Sequence, residues 1–320
     1  MLIATIVLSV CAIFIPNLVL FATEIPDQYI YDASQSDMPE GSDIGLYIYD
    51  ANATAVSVTD SNASSLYDAS GAIVVYIHGA IAEDGTNEFL YAEEWQSAGY
   101  NVFSYDWSAF AVGTETEISA KIWADTLTGQ SYQTSSGSVI CPETKYSLAD
   151  FFIAEYIAFL DSVNITEAFE IRFIAEDIGG DLVAKVVTEI MALAEYDDTF
   201  NPILIDRVAF LDTVPTAETS DIVSAVEDMS DFGVAMEAYV NVYYQNIETN
   251  ETMYDFASNM TLVEYKCDWQ DIEDYSGEMA RWYSESLLCE LFVDQSISSS
   301  GEYTPSALLA SSYLLARINT

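Results

Sequence analysis

The chain has 320 residues, 51% of them hydrophobic, and its 52 acidic against 8 basic residues give a formal net charge of −44. This balance excludes nucleic acid and acidic membrane surfaces as partners, because both are bound through Lys and Arg. The hydrophobic content argues against adaptation to high salt. We therefore interpret the charge as that of a solvated, self-repelling surface, which would attract basic proteins or hold calcium diffusely. The alternative is that selection removed the Lys and Arg residues at which trypsin cleaves.

An apolar stretch that ends in small residues opens the chain. Residues 1–22 predict a cleaved secretory signal, with a retained anchor as the alternative. Five N-glycosylation sequons support export, at Asn52, Asn62, Asn164, Asn250 and Asn259. We therefore expect a secreted, extracellular protein without stable membrane insertion, divided into an N-terminal extension with edge strands (23–71) and a main domain (72–320).

The chain has four cysteines and a single histidine, His78. Cys11 lies in the predicted signal, and Cys267 with Cys289 is the expected disulfide in an oxidising compartment. Cys141 is then free, or it links two copies of the chain in a homo-oligomer. No spacing resembles a metal site, so we expect neither a structural metal nor another cofactor.

Apolar runs alternate with segments of helical spacing. They predict strands at 44–48 (an edge strand), 72–77, 100–105 and 203–211, and helices at 88–98 and 148–163, while 113–143 reads as a polar surface excursion. This alternation predicts an α/β fold with a mostly parallel central sheet and helices on both faces.

A further strand runs through Gly179–Gly180 directly into an amphipathic helix, the pattern of a nucleophile elbow. Asp177 takes the place of the usual serine. The strand at 72–77 ends in His78-Gly79, so Ala80 and Ile178 are the equivalents of the oxyanion-hole residues, and we interpret His78 as structural rather than as a general base. Asp212 follows the strand after the elbow, where a triad acid belongs.

Six weak motifs follow one another in a recognisable order: the strand ending in His-Gly, YDWS (105–108), the elbow, FLDTVP (210–215) with AYVNVYYQ (238–245), DFASNMTLVEYKC (255–267) and SGEMARWYSES (276–286). Together they resemble the pancreatic (neutral) lipase family of α/β-hydrolases, in the insect branch that also contains yolk proteins. The resemblance implies an α/β-hydrolase fold over the main domain and places the triad at Asp177, Asp212 and Ser276.

Two of these three positions depart from the family pattern. Aspartate replaces serine at 177, serine replaces histidine at 276, and the lid before that position is short. Acyl transfer by a serine needs a base that moves its proton. We therefore predict a catalytically inactive storage, structural or ligand-binding protein, and within the ligand-binding interpretation the partner is a hydrophobic small molecule. The alternative is a hydrolase of esters or lipids with non-standard catalytic residues, Asp177 first among them.

Overall fold

The computed structural model describes residues 37–80, 89–165, 170–213, 215, 220–241, 256, 258, 260–265, 280, 283 and 284. All of them belong to one compact unit, Ala33–Thr320. The predicted signal at 1–22, Ser276, Cys267, Cys289, Asn250 and Asn259 lie outside the described residues. Within the described ranges, no helix combines the length and the apolar character that crossing a bilayer requires.

Ten strands are described: β1 Gly45–Tyr49, β2 Ala55–Ser57, β3 Ala72–Ile77, β4 Tyr100–Asp106, β5 Tyr132–Gln133, β6 Val139–Ile140, β7 Ile171–Glu176, β8 Arg207–Leu211, β9 Ala235–Asn241 and β10 Thr261–Tyr265. Eight of them form the central sheet in the order β10-β9-β8-β7-β3-β4-β1-β2. The six from β10 to β4 are parallel, and β1 and β2 are each antiparallel to their inner neighbour.

Among the described elements, five α-helices accompany the sheet: α1 Ala92–Ser97, α2 Glu115–Ile122, α3 Leu148–Ser162, α4 Gly179–Tyr196 and α5 Ser220–Phe232. Short 3-10 helices occupy Ala63–Leu66 and Asp198–Ile203. Helix α3 begins at a capping box in which Ser147 and Asp150 exchange hydrogen bonds, an arrangement that contributes about 1 kcal/mol. The prediction of a mostly parallel sheet with helices on both faces is confirmed.

The two faces of the sheet bury different sets of side chains. On one face, Trp95 of α1 and Tyr283 pack in a cluster with Val74, Ile174 and Tyr239. The other face carries aromatic side chains that pack edge-on against Phe152 and Phe159 of α3. The sheet therefore lies in the core as a middle layer, and its carboxyl edge is left to the loops.

Three predicted elements differ from the structure. The segment at 44–48 is not an edge strand, because the turn after β1 returns the chain and β2 pairs outside it. The strand predicted from 203 begins at Arg207, since a 3-10 helix precedes it. The polar excursion contains α2, which a capping box at Thr114 starts and whose Ile118 and Ile122 are buried.

Candidate active site

The elbow forms at the point where β7 ends. Asp177 has a φ of 49°, a conformation that is uncommon for a residue with a side chain. Its N–H donates to the carbonyl of Leu211 at 2.9 Å, and its carbonyl accepts from the N–H of Gly180 at 3.1 Å and from the hydroxyl of Thr213 at 2.9 Å. The strained backbone is therefore held at both ends, and the half-buried side chain projects from a fixed turn.

Glycines allow this turn to approach the loop after β3. A Cβ on Gly179 would lie 2.4 Å from the carbonyl oxygen of His78, and one on Gly79 would lie 2.8 Å from the Cβ of Asp177. Neither distance is possible for a real side chain. The glycines that the sequence pattern singled out are thus required by backbone contact between two loops.

The loop after β3 is fixed by His78, which is 5% exposed. Its Nδ1 lies 2.8 Å from the carbonyl oxygen of Gly79, and its Nε2 accepts from the N–H of Trp107 at 3.2 Å. These contacts assign the proton to Nδ1. The indole of Trp107 stacks on the imidazole and donates to the carbonyl of His78 at 3.0 Å. Both ring nitrogens are therefore engaged in shaping the loop, as the structural interpretation expected.

The carboxylate of Asp177 faces the loop that the sequence assigned to the oxyanion hole. Its Oδ2 lies 3.5 Å from the backbone nitrogen of Ala80, a long hydrogen bond from that N–H. Ile178, the other predicted equivalent, is buried at the N-terminal cap of α4. Backbone N–H groups near a helix N-terminus favour negative charge, so the turn can hold a carboxylate or an oxyanion.

Asp212 occupies the corresponding position on the neighbouring strand. It has a φ of 51° and is half-buried, and its N–H donates to the carbonyl of Tyr239 at 2.8 Å. Asp177 and Asp212 each follow the last residue of a parallel strand, and those last residues, Glu176 and Leu211, are register partners. The structure thus brings two of the predicted triad positions to one end of the sheet.

One carboxyl group near the elbow was missed by the sequence reasoning. Asp181, in the first turn of α4, is fully buried, and its Oδ2 accepts from the hydroxyl of Ser119 at 2.6 Å and from the indole N–H of Trp123 at 3.1 Å. Burial raises the pKa of Asp181 to about 6, the two hydrogen bonds oppose the rise, and the charge of Asp177 adds to it. The sequence signal that could have identified Asp181 is the presence of an aspartate within an apolar helical stretch.

A second carboxyl group on this edge precedes the elbow residue. Glu176 is buried and accepts a hydrogen bond from the hydroxyl of Tyr76, which stacks on Phe89.

Within the part of the chain that the structure describes, no group of three or more His, Cys, Asp or Glu residues is arranged to hold a metal ion.

The other predicted modification sites lie on the surface where they are described. Asn52, Asn62 and Asn164 are exposed. Cys141 is exposed and has a free thiol. The pairing of Cys267 with Cys289 stays a prediction.

Similar solved structures exist, although no protein-family model and no curated protein matches the chain. One is a protein described as a predicted CIB-like hydrolase from Thermoplasma acidophilum, 16% identical, covering 76% of this chain and 97% of its own, with a TM-score of 0.37. Another is Est1E from Butyrivibrio proteoclasticus, solved with ferulic acid bound, 9% identical, covering 77% and 94%, with a TM-score of 0.39. The strand order, the elbow and the glycine-lined loop define an α/β-hydrolase fold.

Our expectation of an inactive storage, structural or ligand-binding protein does not agree with the descriptions of these structures, one of which is named as a hydrolase. That expectation rested on the loss of serine at 177 and of histidine at 276. The elbow forms with aspartate at 177, which has a positive φ, and Gly179 meets the backbone carbonyl of His78. The pseudoenzyme prediction is corrected to its alternative, a hydrolase that uses Asp177, which is a proposal because similarity at this level shows the fold alone.

Proposed function

We propose that the chain is a hydrolase of esters or lipids in which the carboxylate of Asp177 is the nucleophile. The observation that carries the proposal is the strained turn at Asp177, which presents this carboxylate beside the N–H of Ala80. A backbone held in an unfavourable conformation by several contacts is typical of functional sites. The resemblance to the pancreatic lipase family supports an acyl ester as the substrate class.

The first step follows from the position of the carboxylate. An Oδ atom of Asp177 attacks the acyl carbon, the carbonyl electron pair moves to oxygen, and the backbone N–H groups of Ala80 and Ile178 stabilise that oxyanion. When the carbonyl re-forms, the bond to the alcohol oxygen breaks and the alkoxide takes a proton from water. The product is a mixed anhydride between the acyl group and Asp177.

The second step returns the free carboxylate. Water adds to the anhydride and loses a proton, and release of the carboxylic acid regenerates Asp177. Asp212 takes that proton in our proposal, because it stands beside the elbow on the next strand. His78 is unsuited to this role since both of its ring nitrogens are engaged. A carboxylate is a weaker base than imidazole, so we expect slow turnover.

Intact-protein mass spectrometry during hydrolysis of p-nitrophenyl butyrate tests the proposal. We expect p-nitrophenol release together with a butyryl adduct on the protein, and we expect Asp177→Asn to abolish both. Asp43→Asn is the matched control, because Asp43 is an exposed aspartate with a φ of 50°. Absence of turnover in the wild type, or equal turnover in Asp177→Asn, would contradict the proposed function.

The setting in which this hydrolase acts is also part of the proposal. The signal-like start and the exposed sequon residues Asn52, Asn62 and Asn164 support a secreted glycoprotein. The acyl chain of the substrate is then the hydrophobic small molecule that we expected as a partner. Basic proteins and diffusely bound calcium remain the partners that the surface charge favours.

A further inference from the structure

We propose that Asp181 is a positioning residue for the elbow, whose charge state controls how well the turn stabilises negative charge while the anhydride on Asp177 is hydrolysed. The inference rests on the proposed function and deepens it. Nothing in the six sequence motifs assigns a role to Asp181. Its position, four residues after Asp177 in the first turn of α4, places it beneath the site of reaction.

The first argument is the burial of Asp181 in an incomplete set of hydrogen bonds. The side chain is fully buried and Oδ2 has two donors, yet among the described residues Oδ1 has no hydrogen-bond partner. A buried carboxyl that serves only packing is normally satisfied on both oxygens, because an unpartnered polar atom is destabilising. The group is therefore retained against a stability cost.

The second argument is the set of charges around Asp181. Ser119 on α2 and Trp123 at the C-terminal cap of that helix donate to Asp181, and the charges of Asp177 in the elbow and Asp221 on α5 both raise its pKa. Lys185, one turn further along α4, donates to the carbonyl of Ala124 and lies 3.9 Å from Glu189. The charged groups that act on Asp181 most strongly are thus two carboxylates, which disfavour a third negative charge.

The consequence concerns the second step of the reaction. The anhydride on Asp177 is neutral, and the addition of water develops negative charge at the N-terminus of α4. A protonated Asp181 leaves the positive end of the helix available to that charge, whereas an ionised Asp181 opposes it. In the first step Asp177 carries a negative charge both before the attack and, as the oxyanion, after it. An ionised Asp181 therefore repels both states about equally and changes the acylation barrier little. Ionisation should therefore slow deacylation and affect acylation much less.

The test measures single-turnover deacylation of the butyryl enzyme between about pH 4 and about pH 7, a range that extends further below the pKa of about 6 because acylation removes the charge of Asp177 that raises the pKa of Asp181. We expect the rate to fall about threefold to tenfold across this range in the wild type, and kcat/KM to change less. In Asp181→Asn, whose side-chain oxygen can still accept from Ser119 and Trp123, the deacylation rate should no longer fall with rising pH. Glu155→Gln is the matched control, because Glu155 is another buried carboxyl with a raised pKa, on α3. A wild-type fall that persists in Asp181→Asn overturns the inference.

A second measurement keeps the inference testable without turnover. In carbon-13 NMR titrations, the midpoint of the Asp181 carboxyl should move to lower pH in Asp177→Asn and should stay unchanged in Asp43→Asn. If the Asp181 midpoint shifts in Asp177→Asn but the wild type hydrolyses no ester, the proposed function is rejected, whereas the electrostatic coupling between Asp177 and Asp181 is supported. An unshifted midpoint overturns the inference even where hydrolysis is observed.

Discussion

Asp177 and Asp212 adopt the same left-handed backbone conformation, with φ values of 49° and 51°, at the ends of neighbouring parallel strands. Each donates its N–H across to the next strand before the chain leaves the sheet. The two carboxylates are therefore placed by the same device, a strand that ends in a strained turn. This repetition distinguishes the site from two aspartates that happen to lie on loops.

Contact between the elbow and the loop after β3 predicts a severe effect of Gly179→Ala. The added Cβ would lie 2.4 Å from the carbonyl oxygen of His78, so one of the two loops must move. We expect a loss of about 1–3 kcal/mol in the free energy of unfolding, the usual range for overpacking. Urea denaturation measures it. Gly45→Ala is the control, since a Cβ there meets its nearest atom at 3.7 Å, and an equal loss in both variants would refute the argument.

Glu155 predicts how stability changes with pH. Its Oε2 accepts the N–H of Leu46 at 2.6 Å, and burial raises its pKa from 4.5 to about 7 although that hydrogen bond opposes the rise. Because the folded pKa lies above the unfolded pKa, the favourable contribution is complete below pH 4.5 and is lost as pH rises to about 7.

We therefore expect Glu155→Gln to remove a decline of up to about 3 kcal/mol between these pH values. Urea denaturation at several pH values gives the free energy of unfolding for each protein. Glu115→Gln changes the net charge equally at an exposed position of α2 and should retain the decline. A parallel pH dependence in the wild type and in Glu155→Gln would show that Glu155 is not the group responsible.

The distribution of cations predicts a response to salt. Lys121, Arg172 and Lys185 are buried, Arg207 pairs with the buried Glu237, and Lys145 is the one exposed cation among the described residues. The lysines at 121 and 185 donate to backbone carbonyls. Most of the described cations are thus buried or paired with a buried carboxylate, and the described surface carboxylates have few positively charged neighbours.

Salt should consequently raise the melting temperature at neutral pH. Raising NaCl from about 0.01 M to about 0.15 M shortens the Debye length from about 30 Å to about 8 Å, which weakens repulsion among the carboxylates. Calorimetry should show an increase of several degrees, and millimolar calcium should act more strongly. Sucrose in place of salt controls for general solvent effects. A melting temperature that is indifferent to salt would indicate carboxylates already neutralised by bound cations.

Cys141 predicts a covalent dimer under oxidising conditions. The thiol is exposed and follows Val139 and Ile140, whose side chains are 70% and 42% exposed. Two copies that meet through this apolar edge would bring the thiols together, and non-reducing electrophoresis should show a dimer that a reductant removes. Cys141→Ser should abolish the dimer with the fold unchanged. A wild-type protein that stays monomeric after oxidation would reject this homo-oligomer.

The sequence by itself determined the layered fold and the location of the elbow. Continuous apolar runs such as β3 can only be buried on both faces of a sheet, and the pair Gly179–Gly180 marks where a strand must turn at once into a helix. These signals are local, because they depend on spacing and on residues a few positions apart. They also place Asp177 and Asp212 at the ends of strands.

Only the tertiary structure decided what surrounds those residues. The role of Gly79 depends on the Cβ of Asp177, nearly a hundred positions later, and the environment of Asp181 depends on Ser119 of α2 and on Trp123, which caps that helix. The apolar run at 44–48 could not reveal that β2 covers its outer edge. Burial, unpartnered atoms and the raised pKa of Asp181 arise from contacts between distant segments, and a local pattern contains no information about them.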